Sequence, residues 1–267
     1  MSRGRRQPWT AIGVGAIALA FIVVPLLGLV GEVAWSELGA DLGSGEARDA
    51  LQLSLVCSVA AAAIAFIVGV PLAWVLARVE FPGRAFVRAL TMLPMVLPPV
   101  VGGVGLLYAF GRHSLIGGWL HEWFGIQLTF SIAGVILAET FVAMPFLVVT
   151  VEAALRGLDR GLEDAAASLG ATRRTVVRRI TLPMMGPALA AGVALAWARA
   201  LGEFGATITF AGNIRGRTRT VPLAVYLLLD TQPEVAIALS LVLVGVCILV
   251  LTSLRGRWLI GTDGVRK

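Results

Sequence analysis

The ionisable residues that interrupt this chain's apolar sequence imply charge recognition rather than bond making. Glu139 stands alone in an apolar run. Arg199 and Glu203 stand four apart in another, which puts them on one helix face where each can neutralise the other, and Thr207 follows one turn later. Arg215, Arg217 and Arg219 alternate along a short polar loop. A nucleophile with its base, or a metal-ligand set, would need a partner near each candidate. Cys57 and Cys247 lie alone at different depths of separate apolar runs, His113 and His121 share one loop, and no Gly-x4-Gly-Lys-Ser/Thr phosphate loop occurs. The chain is therefore expected to be no enzyme and to bind no metal or cofactor itself.

The longest polar interval with helical patterning is Asp159–Pro183. Leu158, Leu162, Ala165, Ala166 and Leu169 recur at i, i+4, i+7, i+8 and i+11, one side of a short amphipathic helix, with Arg160 and Glu163 elsewhere on its circumference. Gly170 sits where a C′ glycine would stop that helix, and Thr172 is placed to start a second, basic one. Pro183 is expected in the first turn of the next apolar segment.

What positions these residues is membrane. Hydrophobic residues make up 58% of the 267 and charged ones 14%, against about 25% charged in a soluble domain. Six apolar stretches are long enough to cross a bilayer, near residues 9–30, 51–76, 89–110, 130–151, 183–203 and 235–254. With the N-terminus inside, sixteen of the 22 basic residues fall on the cytoplasmic side, so both termini are expected there. The net charge of +6 is thus a topology signal and no pointer to nucleic acid. The first stretch exceeds a signal peptide's apolar core and lacks a small-x-small cleavage site, so it reads as a retained span. Glu32–Asp49 is acidic and Gly-Ser-bearing, and reads as an outer loop. Leu93-Pro94-Met95-Val96-Leu97-Pro98-Pro99, followed by Gly102, Gly103 and Gly105, cannot form one unbroken helix, and broken backbone at membrane depth must be buried in protein or line a cavity.

Asp164-Ala165-Ala166, then Gly170, Ile180 and Leu182-Pro183, resembles the cytoplasmic Glu-Ala-Ala motif of ABC importer permeases, with Asp164 in the Glu slot and Glu163 just before it. The alternative, an amphipathic helix lying at the lipid surface, explains Asp-Ala-Ala but not the rest of the register. Ala198–Thr207, Phe210-Ala211-Gly212-Asn213 and Thr220-Val221-Pro222-Leu223-Ala224-Val225-Tyr226 resemble the oxyanion branch of that family, molybdate and tungstate more than sulfate or thiosulfate.

The resemblance implies an all-α, six-span permease of the type I ABC importer fold in the inner membrane, working as a homodimer. It implies a coupling helix in which Leu162, Glu163, Asp164, Ala165, Ala166, Leu169 and Gly170 meet a cytoplasmic ATPase pair carrying ATP and Mg, and a periplasmic oxyanion-binding protein at the outer mouth. Arg215, Arg217 and Arg219 are candidates for contact with that protein. Glu139, Arg199, Glu203 and Thr207 are candidates for a translocation path or gate. Residues 1–50 form an N-terminal span and acidic loop, 51–254 the permease core with its coupling segment at 159–183, and 255–267 a short cytoplasmic tail with no room for a regulatory domain. A proton-coupled secondary transporter would use the same intramembrane charges as its relay, but no inverted repeat is visible.

Reporter fusions at Arg84 and Arg174 are expected to give cytoplasmic signals, and fusions at Gly45 and Gly216 periplasmic ones. A periplasmic signal at Arg174 would overturn this topology.

Overall fold

The computed structural model describes residues 9–258, apart from the side chains of Ala11, Leu251 and residues 253–258. The basic cap at residues 1–8, most of the proposed tail and the side chains of Arg255 and Arg257 lie outside the described residues. The helices are α1 (Trp9–Gly31), α2 (Leu38–Gly43), α3 (Gly45–Arg78), α4 (Arg84–Val96), α5 (Pro99–Phe110), α6 (Leu115–Phe124), α7 (Ile132–Gly157), α8 (Arg160–Ser168), α9 (Arg173–Val176), α10 (Leu182–Leu201), α11 (Gly205–Phe210), α12 (Val221–Leu228) and α13 (Pro233–Trp258). No strand occurs among the described residues.

The centre is a close-packed trio, α3, α7 and α10, and small residues set its spacing. Ala61, Ala73, Ala77, Ala143, Ala196 and Ala200 are buried among Leu76, Leu147, Val148, Val151 and Leu155. A methyl group at Gly69 would lie 3.1 Å from Leu147 and 3.2 Å from Val148. Apolar side chains gain little by leaving lipid for protein, so helix association in a bilayer depends on this close approach. Ser54 adds a link of another kind: its hydroxyl accepts from the Val221 N–H at 2.7 Å and fixes the start of α12 against α3. By contrast α1 packs chiefly on α13 and leaves its apolar side chains exposed.

The structure corrects one expectation about local form and adds detail to two. Glu32–Asp49 is not an open loop throughout: α2 lies within it, and α3 begins at Gly45, six residues before Leu51. Ser44 caps that start by accepting from the Ala47 N–H, and Glu46 faces the positive helix end, so the Gly-Ser pair begins a helix instead of preventing one. The expected third span is two helices bent by 116°. The break falls at Leu97-Pro98, Pro94 is tolerated inside α4, and Pro99 opens α5. Among the described residues five helices are long and apolar enough to cross a membrane, and the bent pair makes a sixth if it counts as one span. Finally, Pro183 stands in the first turn of α10 as expected, but α10 continues the preceding turns without a break. Residues Arg173–Leu201 form one 29-residue rod with Pro183 well inside it. A π-helical turn over Val177–Thr181 precedes the proline, with the Leu182 N–H reaching back to the Val177 carbonyl. Widening the helix there relieves the clash between the proline ring and the preceding turn.

Helix α5 lies across α11 at glycine-set distance. A Cβ at Gly103 would stand 2.7 Å from Thr209 Cβ and 2.9 Å from the Ala206 carbonyl, and one at Gly205 would stand 2.9 Å from Pro99 Cβ. Gly103→Val is therefore expected to destabilise the detergent-solubilised protein by about 1–3 kcal/mol, seen as a lower thermal midpoint. Gly105→Val, at a position with open space around it, is the control. Equal midpoints for the two variants would contradict the close α5–α11 contact.

Candidate functional site

Helix α8 is the most exposed ordered element of the fold outside α1. Asp159 caps it by accepting from the Gly161 N–H at 2.8 Å. At the other end the Gly170 N–H reaches the Ala167 carbonyl and the Ala171 N–H the Ala166 carbonyl, both at 3.0 Å, in the pattern of a Schellman stop. Gly170 has φ +84° and open space around it, so the backbone conformation, not crowding, is what disfavours other residues there. Thr172 then caps the rod by accepting from the Thr175 N–H.

No residue of α8 is buried. Leu162 is 51% and Leu169 89% exposed, and Asp164 and Ala165 are open as well. Covering Leu169 alone would contribute on the order of 2 kcal/mol. The apolar edge is thus exposed and bordered by acids, on a helix capped at both ends.

Glu163 behaves differently from its neighbours. Its Oε1 lies 3.1 Å from Arg78 Nη2 at the end of α3, and accepts from Thr181 Oγ1 at 2.8 Å in the π turn. Glu163 thus points inward and ties α8 to two membrane helices, while Asp164 points outward. The expectation that both acids meet a partner is narrowed: Glu163 is engaged within the chain.

A second polar cluster, around the C-terminal end of α3, went unread in the sequence. Glu152 of α7 pairs with Arg88 at 2.8 Å and with Arg156 at 3.0 Å. Arg84, Arg88 and Arg156 all donate to the Leu76 carbonyl, and Arg84 also to that of Ala77, so three guanidinium groups gather on the negative end of α3. Only the i,i+4 spacing of Glu152 and Arg156 was a local signal.

The intramembrane charges form a third group. Arg199 Nη1 meets Glu203 Oε2 at 2.6 Å, and Glu203 Oε1 accepts from the Ala206 N–H at 2.7 Å, which caps α11. Glu203 and Glu139 are each 1% exposed and Thr207 is fully buried. Glu139 Oε2 and Thr207 Oγ1 have no hydrogen-bond partner among the described residues. Enclosed in this way, Glu139, Glu203 and Thr207 line no open path through the single chain. Arg199 and Glu203 do neutralise each other, with the Glu203 carboxylate inside the protein and Arg199 partly exposed.

At the end of α3 opposite Arg78, Arg219 pairs with Glu46 and donates to Asn213 Oδ1 at 2.9 Å, and Arg215 meets Asp49 at 3.5 Å. Both tie the loop after α11 to the first turns of α3. Of the three arginines expected to face a partner, only Arg217 has no ion-pair partner among the described residues.

A family model described as "Binding-protein-dependent transport system inner membrane component" matches residues 69–260. The chain belongs to that family. The match begins within α3 and leaves α1 and α2 outside it. The molybdenum transport system permease protein ModB of Mycobacterium tuberculosis is 46% identical over 245 residues, covering 92% of each chain. That of Escherichia coli K12 is 43% identical over 210 residues, 79% of this chain and 92% of its own. The sulfate transport system permease protein CysT of Escherichia coli K12 is 35% identical over 238 residues, 88% and 86% of the two chains. A bacterial alginate ABC transporter, solved in complex with an alginate pentasaccharide-bound periplasmic protein, gives a TM-score of 0.72 over 97% of this chain and 95% of that one, at 18% identity, which shows the fold alone.

The permease is accordingly a multi-pass inner-membrane component and not itself an enzyme. In a permease, what α8 feels must reach the spans through its attachment, and Glu163 is the only side-chain link between α8 and the membrane helices among the described residues. Removing it strands the Arg78 guanidinium, whose side chain is only 9% exposed, at a cost of about 2 kcal/mol. Glu163→Ala is expected to speed amide exchange across residues 160–168 by roughly tenfold or more, while Asp164→Asn leaves it unchanged. Equal exchange in both variants would show that Glu163 holds nothing.

Proposed function

We propose that this permease component carries molybdate inward across the inner membrane, powered by ATP hydrolysed with Mg on a separate ATPase pair, and that it works as a homodimer with both termini in the cytoplasm. The cargo reading rests on the greater similarity to molybdenum-named permeases than to sulfate-named ones. The coupling reading rests on α8, which leaves Leu162, Asp164, Ala165 and Leu169 open while Glu163 anchors it from behind. A groove on the ATPase would cover the apolar edge, and the small side chains at Ala165 and Ala166 would set how near the helix lies. A periplasmic oxyanion-binding protein would deliver cargo to the outer loops, where Arg217 has no ion-pair partner among the described residues. Tungstate, with the same shape and charge, would share the route.

The cargo experiment is uptake of labelled molybdate by cells whose own molybdate permease is deleted and replaced by this one, with its partner subunits. Excess tungstate is expected to compete and excess sulfate not. Competition by sulfate at equal concentration would shift the assignment to the sulfate branch. For coupling, Ala166→Leu and Gly170→Val are expected to leave the permease in the membrane but reduce co-purified ATPase and transport-linked ATP hydrolysis by tenfold or more. A helix that only lay on lipid would tolerate both changes, and normal co-purification would reject the docking role.

A further inference from the structure

Four guanidinium groups on the cytoplasmic side are engaged: Arg78 by Glu163, Arg88 and Arg156 by Glu152, and Arg84 by the carbonyls of Leu76 and Ala77. Arg174, Arg178 and Arg179 are not. Together with Thr175 they line a concave pocket of about 450 Å3 at the foot of the long rod, with no acid and no side-chain hydrogen bond offered to them by the described residues. The packing of the rod explains where they stand. Val176, Thr181, Met185, Gly192, Ala196 and Ala200 form its buried side. Positions two before and two after Val176 lie about half a turn away from it, so Arg174 and Arg178 project opposite the core.

Orientation in the membrane does not require this arrangement. The same charges spread along the polar interval would mark the cytoplasmic side equally well. Arg174 and Arg178 instead stand at i,i+4, where like charges repel and cost a few tenths of a kcal/mol. A bound anion reverses that sign. Guanidinium forks match the edges of a tetrahedral oxyanion two bonds at a time, and several converging on one ion is the usual means of holding phosphate-like groups. The Thr175 hydroxyl shares one hydrogen bond with Thr172 at 2.9 Å and, when Thr172 is the donor, has its own proton free for the pocket.

We propose that Arg174, Thr175, Arg178 and Arg179 form a binding site for a tetrahedral oxyanion on the cytoplasmic face, with Arg174 and Arg178 as its principal ligands. Two sources offer this chemistry. A free inorganic oxyanion can enter from the cytoplasm. The phosphate of an anionic lipid can also reach the site, because Leu182, Met184 and Leu195 leave uncovered apolar surface further along the rod for an acyl chain.

The test uses the full-length permease in two arms. In nanodiscs of neutral phosphatidylcholine, binding of radiolabelled sulfate and molybdate is measured directly. In protein purified from vesicles containing phosphatidylglycerol, retained lipid is counted by native mass spectrometry. Binding in the first arm identifies a free ion and retention in the second a lipid headgroup, and either supports the site. Arg174→Gln/Arg178→Gln is expected to weaken the observed binding by about tenfold or more. Arg174→Lys/Arg178→Lys preserves charge and insertion but removes the planar forks, and is expected to weaken it several-fold. Arg173→Gln, an exposed neighbour outside the pocket, is expected to change nothing. Absence of both ligands from the wild-type protein, or an equal loss in Arg173→Gln, would overturn the proposal in favour of a diffuse orientation signal.

Discussion

The contact between Glu163 and its two partners, Arg78 at the end of α3 and Thr181 in the π turn, governs how the exposed part of this permease relates to the part in the membrane. Helix α8 is nine residues long and buries nothing, and a helix of that length is not stable in water by itself. Its caps hold its shape, and Glu163 supplies its side-chain hydrogen bonds to the membrane helices among the described residues. The carboxylate meets one helix that ends at the membrane surface and another that continues through it. A force on α8 is therefore applied to α3 and to the rod together, not to one loop. Because α3, α7 and α10 interdigitate at alanine and glycine distance, neither rod can move without carrying its neighbours.

The π turn follows from the same requirement. Thr181 must face inward to meet Glu163, Val176 must face inward to pack, and the two are five residues apart. In a regular α-helix five residues advance the face by about 140° beyond a full turn, which would turn one of the pair outward. A π-helical turn returns nearly to the same face after five. Pro183 favours that wider turn because it lacks an N–H and crowds the preceding carbonyls. The proline and the inward-facing threonine thus have one local solution in common, which keeps the rod continuous from the docking segment to the middle of the membrane.

The sequence made some of this legible and hid the rest for physical reasons. Start and stop signals are local chemistry: Asp159 as a cap, Gly170 at positive φ and Thr172 as the next cap can each be read from a few residues. Hydrophobic length located the spans for the same reason. Pairings between helices leave no such trace. Arg88 and Glu152 are 64 residues apart and Arg78 and Glu163 are 85, so nothing in the neighbourhood of either residue marks the other. The adjacent acids Glu163 and Asp164 carry the same charge in sequence, and only the direction in which the helix presents them separates anchor from exposed edge. Pro94, Pro98 and Pro99 announced a broken helix, but the size of the bend depends on α11 lying against α5, which only the fold supplies.

The distribution of charge bears on what kind of path the fold can provide. Two acids, Glu139 and Glu203, lie within the apolar layers, with Arg199 paired to Glu203. A carboxylate open to the path of an anion would repel it, and the low surrounding dielectric would enlarge that repulsion. They are enclosed instead: Glu203 is occupied in capping α11 and pairing Arg199, and Glu139 of α7 is 1% exposed. Arranged in this way, Glu203 ties the end of α10 to the start of α11, and neither acid borders an open route through the single chain. A route lined by backbone and small apolar residues, such as the glycine-rich turn into α5, binds an oxyanion weakly. Weak binding inside suits a carrier whose cargo must be released, and it leaves strong recognition of the anion to surfaces outside the bilayer.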